Sequence, residues 1–278
     1  MDLWTTIPVE TQHPLTSSDA DGFMVSAFGC HFRVNLCLDA RADLERFIYP
    51  TLARSRETSH SPTVSIRVDR VDLGFQLSVD GAAVITASEP LDLVVDLVRV
   101  LDETVIQRQS AFYAIHAGVV EWKGRALILP GGTHSGKSTL VAELLRQGAT
   151  YFSDEYALVD HEGIAHPYPR PLLVRRGSPQ QFPVLAEQCN AKTGNNPARV
   201  GWIVAVVYDP AGRWQMNPLP QSMALIHLLQ NTPHALAESP SIMGAFERAV
   251  AGAHCYAGTR LEAGEAAAEI LRLADSTL

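Results

Sequence analysis

Cysteine is scarce: Cys30, Cys37, Cys189 and Cys255 are the only four in 278 residues, and no two form a CxxC pair. That spacing does not suit a zinc site, and a secreted disulfide framework would need denser cysteine in a shorter chain. Buried free thiols are therefore expected. Long apolar runs are missing as well. No stretch reaches the roughly 18 residues needed to cross a bilayer. The start, "MDLWTTIPVETQHPL", carries acids and prolines where a signal peptide has a basic end and an apolar core. Both absences lead to the expectation of a cytoplasmic protein with no membrane partner. Basic residues are outnumbered, 22 Lys and Arg against 30 Asp and Glu, which leaves a net charge of −8. This speaks against a broad nucleic-acid surface, while a local basic pocket stays open. Internal repeats and low-complexity tracts are absent, and so is any linker rich enough to divide the chain.

What is present suits one or two ordinary cores, with 46% apolar and 19% charged residues. The first part reads as a small antiparallel sheet. Gly22 to Leu38 suits two short strands around Gly29, and "TVSIRVDRV" (63–71) alternates with Val64, Ile66 and Val68 on one face. Asp80-Gly81 marks a hairpin inside "FQLSVDGAAVIT". In "EPLDLVVDLVRVLDETVIQRQ", Leu91, Val94, Val95, Val98, Leu101 and Val105 recur at three and four, the period of an amphipathic helix.

From Tyr113 the texture changes. Two buried strands, "YAIHAGVVEW" and "RALILP", flank a Lys123-Gly124 turn, and a helix "KSTLVAELLRQG" ends at Gly148. "TYFSDEYALVD" is strand-like. A proline-rich, basic loop runs from His166 to Pro183, and Val200–Tyr208 is apolar enough for a strand buried on both faces. Asp209 to Gly212 turns that strand back into "RWQMNPL". Two helices (222–230 and 241–251), a short strand "CYAGTRL" and a last helix (262–273) complete the pattern. The expected division is an N-terminal α+β region, residues 1–110, and an α/β domain, residues 111–278.

Gly131, Gly136, Lys137 and Ser138 match G-x-x-x-x-G-K-[ST], the P-loop pattern. A polyphosphate is wrapped by backbone N–H groups, so the loop must approach it closely and cannot carry bulk. The following helix aims its positive end at the phosphates. The cradle is expected to comprise Gly131, Gly132, Thr133, His134, Ser135, Gly136, Lys137, Ser138 and Thr139. Lys137 would reach the β- and γ-phosphates and Ser138 would hold magnesium, so ATP and Mg2+ are the expected cofactors. Such a site also needs a carboxylate, and Asp154-Glu155 follows the P-loop helix at the end of a short apolar segment. His116 lies one hairpin from the loop. Arg170, Arg175, Arg176 and Arg199 are candidates for a second cation on the γ-phosphate or for acceptor contacts.

Taken together, "IHAGVVEWKGRALILPGGTHSGKSTLVAELLRQGATYFSDEYALV" resembles the catalytic domain of HPr kinase/phosphorylase, especially the shorter stand-alone kinases related to it. The resemblance is strong over about His116 to Asp160 and weaker beyond. It implies a P-loop core of the type also found in phosphoenolpyruvate carboxykinase. It further implies phosphoryl transfer from ATP to a serine of a peptide or protein. Asp154 would then accept the hydroxyl proton, while Ser138 with Glu155 or Asp154 would hold the metal. Glu155 stands where the family has a second aspartate, and Thr139 where the bifunctional enzymes carry an acid. Their separate N-terminal domain has no counterpart here. These departures leave the phosphorylase direction, and HPr as the acceptor, without support. Some short relatives phosphorylate a serine during natural-product maturation. Two other readings stay open, a nucleotide-sensing adaptor that recruits a partner on an edge strand at "TVSIRVDRV" and a sugar or polyol kinase. The sequence does not decide whether the chain forms a homo-oligomer.

Overall fold

The computed structural model describes residues 22–48, 53–55, 62–132, 135–175, 180–233 and 239–278. The chain is a mixed α/β protein. Its first sheet has six strands, β1 (Phe23–Ala27), β2 (Cys30–Leu36), β3 (Ala53–Ser55), β4 (Val64–Val71), β5 (Gly74–Val79) and β6 (Ala82–Ala87), in the order β3-β1-β2-β4-β5-β6. Only β2 and β4 run parallel. A parallel pair needs a crossover, which α1 (Leu38–Ile48) supplies. The alternation places Phe32, Val34, Ile66, Val68 and Leu77 against α1 and against α2 (Val94–Arg108). Asp80 and Gly81 both take positive φ, 48° and 84°, as the tight hairpin turn requires. Because β4 lies between β2 and β5, "TVSIRVDRV" is an interior strand. The expected edge belongs instead to β3 and β6.

The helix departs from its expected pattern in one respect. Val94, Leu97, Val98, Leu101 and Val105 are buried, but Leu91 sits in a preceding 3-10 turn at 41% exposure and Val95 is half-buried. Asp102 is buried in their place.

The second part is built on β7 (Phe112–Trp122), β8 (Arg125–Pro130), β14 (Ala198–Tyr208) and β16 (His254–Arg260). Strands β8, β14 and β16 are parallel to one another. β7 pairs antiparallel with β8, β9 (Thr150–Ser153) and β10 (Tyr156–Asp160), and β11 (Ile164–His166) links β10 to β14. Helices α3 (Lys137–Arg146) and α6 (Ala263–Asp275) pack on one face, and α4 (Gln221–Gln230) and α5 (Ser239–Ala251) on the other. β14 is accordingly apolar on both sides as far as Ala205: Trp202 and Val204 meet the first pair, Val200 and Ile203 the second. Past that point the burial ends, with Val207 67% exposed.

Two expectations are corrected here. The stretch from His166 to Pro183 is not all loop, because β12 (Leu172–Arg175) pairs with β13 (Gln181–Val184) within it. β15 (Gln215–Pro218) pairs with β16 and does not fold back on β14. The boundary near Ala111 falls between α2 and β7 in the chain but not in the core. Ala114, Leu158, Tyr168 and Leu173 belong to the same apolar cluster as the first sheet. All four cysteines are free, three of them buried and Cys37 half-buried. Among the described residues, no helix is long and apolar enough to cross a membrane.

Candidate functional site

Parallel strands open their C-terminal ends on one edge of a sheet, where ligands commonly bind. The glycine loop leaves β8 at that edge and enters α3 through Gly136, whose φ of 79° suits glycine. At the same edge β16 ends in Arg260, which is buried. Its Nη2 donates to the carbonyls of Ser135 at 3.2 Å and Gly136 at 3.4 Å, and its Nη1 to Leu261 O at 3.0 Å. A Cβ on residue 136 would run into that guanidinium. Two loop carbonyls are thus held by Arg260, and the first N–H groups of α3, which have no acceptor within the helix, remain to meet an anion.

Lys137 Nζ donates to Gly132 O at 2.9 Å. Burial lowers its pKa, against the opposing charges of Glu155 and Asp154. The Ser135 hydroxyl is buried with no hydrogen-bond partner among the described residues, which is the kind of orphan a bound oxyanion satisfies. Ser138 and Thr139 line the cleft beside it. Thr133 and His134 lie outside the described residues.

The acidic pair is split by its turn. Ser153 Oγ, at the end of β9, accepts from the N–H groups of Glu155 (3.3 Å) and Tyr156 (3.1 Å). The turn leaves Asp154 wholly buried and Glu155 half-buried at the cleft. Asp154 Oδ1 accepts from Arg170 (3.0 Å), and Oδ2 from Leu173 N–H (3.3 Å); the Tyr151 hydroxyl shares its one proton between Arg170 O (2.9 Å) and Asp154 Oδ1 (3.1 Å). Each oxygen therefore has at least one donor. Burial holds the Tyr151 phenol well above its ordinary pKa, so it stays a donor. Arg170 bridges to a second buried acid: its Nε lies 2.8 Å from Asp102 Oδ2, an ion pair whose angle falls short of a hydrogen bond. The Tyr168 hydroxyl donates to Asp102 Oδ1 at 2.8 Å. Burial pushes Asp102 up to about 6, while Arg170 and Tyr168 pull the other way.

Glu155 is the reachable carboxylate of the pair. Burial alone would raise its pKa, but contact with His116 and the charges of Arg170 and Lys137 hold it below the ordinary glutamate value. His116 Nδ1 lies 3.4 Å from Glu155 Oε1, and its ring packs on Tyr156 with centroids 4.8 Å apart. The strand register explains this meeting, because His116 on β7 stands opposite Tyr156 on β10.

Two cavities flank the loop. One, of about 370 Å³, carries Lys137, Ser138, Glu155 and Arg170 on one wall and Arg99, Asp102 and Glu103 of α2 on the other. The second, of about 570 Å³, lies beside Gly131 and Gly132 between the ends of β14 and β16, with Tyr208, His227, Asn231 and Arg260. Of the arginines named from sequence, Arg170 and Arg175 reach the first cavity. Arg199 does not. It is exposed at the opening of β14, next to Val200, which pairs with the start of β8, so it stands at the far end of the sheet from the loop. Arg176 lies outside the described residues.

Sequence reasoning missed Arg260 and Asp102. Arg260 follows an unremarkable strand, and only the order of parallel strands brings it to the loop. Asp102 did leave a signal, an acid inside the apolar stripe Val98, Leu101, Val105.

Comparison with known proteins adds nothing to this geometry. No family model matches the chain, and no curated protein matches it.

Proposed function

We propose that the chain is an ATP-dependent kinase, built on a P-loop core of the HPr kinase and phosphoenolpyruvate carboxykinase type, that phosphorylates a serine hydroxyl of a peptide or protein. The observation that carries the reading is the convergence of Lys137, Ser138, Glu155 and the orphaned Ser135 hydroxyl on one cleft at a helix N-terminus. The phosphates would lie along the loop, with the γ-phosphoryl toward Glu155 in one cavity and the nucleoside toward Tyr208 and His227 in the other. On binding, Lys137 exchanges the Gly132 carbonyl for phosphate oxygens, a favourable trade for a partly desolvated ammonium.

Mg2+ needs only one or two protein oxygens beside phosphate and water. Ser138, which lines the same cleft, would supply one such oxygen, with Glu155 a second only where it does not take the proton, and a bound Mg2+ would neutralise charge developing on the phosphates. The serine oxygen attacks the γ-phosphorus as the bond to the β–γ bridging oxygen breaks, and ADP leaves. Because Asp154 is wholly buried and does not line the cleft, Glu155 is the better acceptor for the hydroxyl proton, with His116 beside it. Asp154 then acts through Arg170, as a positioning residue.

The test is transfer from γ-labelled ATP with Mg2+ to serine-containing peptides and to host lysate, comparing wild type with Glu155→Gln. The expected result is label on serine, with kcat lower by about 100-fold in the variant and nucleotide affinity kept. A Glu155→Gln defect that is repaired by raising Mg2+ would assign Glu155 to the metal instead of the proton. Nucleotide binding with no labelled acceptor in any fraction would overturn transfer in favour of a sensor. Label on a sugar or polyol would change the acceptor class.

A further inference from the structure

The P-loop cleft does not end at α2. Arg99, Arg175 and Gln181 line both it and a second, larger cavity of about 740 Å³. That cavity leads away between the end of α1, the start of α2 and the β12–β13 hairpin. Its floor is apolar. Leu91 and Val95, which helical periodicity assigns to the core, face this cavity, along with Phe47, Phe182, Pro183 and Leu185. Val95 also packs in part against the first core, whereas Leu91 is 41% exposed, so the apolar surface on offer is that of Leu91 together with its neighbours in the cavity.

The charge of the cavity runs against that of the whole protein. Three arginines line it, Arg46, Arg99 and Arg175, and one carboxylate, Asp92. Arg99 is shared with Gln181 at 2.8 Å and stands 3.6 Å from Asp96, and the Arg46 guanidinium lies over the Phe47 ring at 4.7 Å. Set against Asp92 and Asp96, the three arginines leave a small local positive excess beside apolar side chains, in a chain of net charge −8.

We infer that this cavity is the docking groove for the acceptor, and that the acceptor is an acidic, extended peptide segment with an apolar anchor side chain. The inference rests on the kinase reading for its purpose. Its geometry is separate, since the groove lies beyond the phosphate cradle. The anchor sits on Leu91, Val95 and Phe182, acidic neighbours meet Arg46 and Arg99, and the chain runs past Arg175 to place its serine beside Glu155. A sugar or polyol would use neither the apolar floor nor the arginines.

The test uses the full chain and fluorescein-labelled serine peptides of equal length, followed by anisotropy at low salt in the presence of MgADP. One peptide carries Glu residues and a Phe, a second has Lys for each Glu, and a third has Ala for the Phe. The acidic peptide should bind about tenfold more tightly than the lysine peptide, and the preference should shrink as salt rises. The alanine peptide should bind more weakly than its parent. Arg46→Glu should abolish the charge preference, and Leu91→Asp should weaken the acidic peptide about tenfold. Both variants should keep the wild-type melting temperature and affinity for a fluorescent ATP analogue. Equal binding of the three peptides, no binding to the wild type, displacement of peptide by the nucleotide, or indifference to both substitutions would each overturn the groove. Selective peptide binding without any phosphate transfer would leave the groove standing and remove the kinase reading.

Discussion

Around Arg170, charge is set against charge: one guanidinium stands between two buried carboxylates, each with a tyrosine hydroxyl beside it. A few residues away, along the rim of the glycine loop, the polar atoms are less well provided for. Among the described residues, Ser135 has no hydrogen-bond partner, Lys137 donates to a carbonyl, and Glu155 has an imidazole at long range. The two regions use the same residue types and serve opposite ends. The first is finished without a ligand, so its charges hold the protein together. The second, on the proposed reading, would be completed by an anionic ligand. The contrast explains why adjacent acids, Asp154 and Glu155, have different fates.

The sharpest way to break the contrast is Arg170→Ala. Two carboxylates would be left buried with no cation, and the expected loss is about 3–5 kcal/mol of stability. Urea unfolding would measure it, and a loss under about 1 kcal/mol would show that the network is not structural. Lys137→Ala should do the reverse. Burial already disfavours the lysine charge, so the melting temperature should hold or rise slightly, while transfer falls by roughly 100- to 1,000-fold. A variant that melts much lower would place Lys137 in the structural region instead.

The smallest effect concerns pH. The Asp102 carboxyl is raised in the folded state, from 3.8 to about 6, so between those values the folded protein binds more protons than the unfolded chain. Wild type should therefore lose stability relative to Asp102→Asn as pH rises from about 4 to about 6, by no more than about 3 kcal/mol, and the difference should be flat above. Denaturation midpoints of the two proteins across that range would test it. A difference that grows in the other direction would mean that Arg170 outweighs burial.

Features governed by neighbouring residues were legible in the sequence. The loop glycines, the Asp80-Gly81 turn and the Lys123-Gly124 turn answer backbone demands that glycine meets locally, and the structure has positive φ at Gly136 and at all four turn residues. The alternation in β4 and the two-faced burial of β14 follow from periodicity in the same way. What stayed hidden depends on contacts between distant parts of the chain. Arg260 sits 124 residues from the glycine whose carbonyl it holds. Arg199 looked as well placed as Arg170 in a linear reading, and strand direction alone puts it at the wrong end. The resemblance assigned the hydroxyl proton to Asp154, and the residues could not correct it, because a strand break at a serine cannot tell which neighbour turns inward.

The contribution of α2 bears on modularity. A chain cut before Ala111 would keep every residue of the glycine loop and both acids of the pair. It would also keep Arg170 with only one of its two counter-charges, and it would strip the packing from Ala114, Leu158, Tyr168 and Leu173. The first sheet and its helices are therefore not an appendage that could be exchanged for another module. Any donor grafted in their place would have to bring an aspartate to the same spot, along with the apolar surface that closes over it.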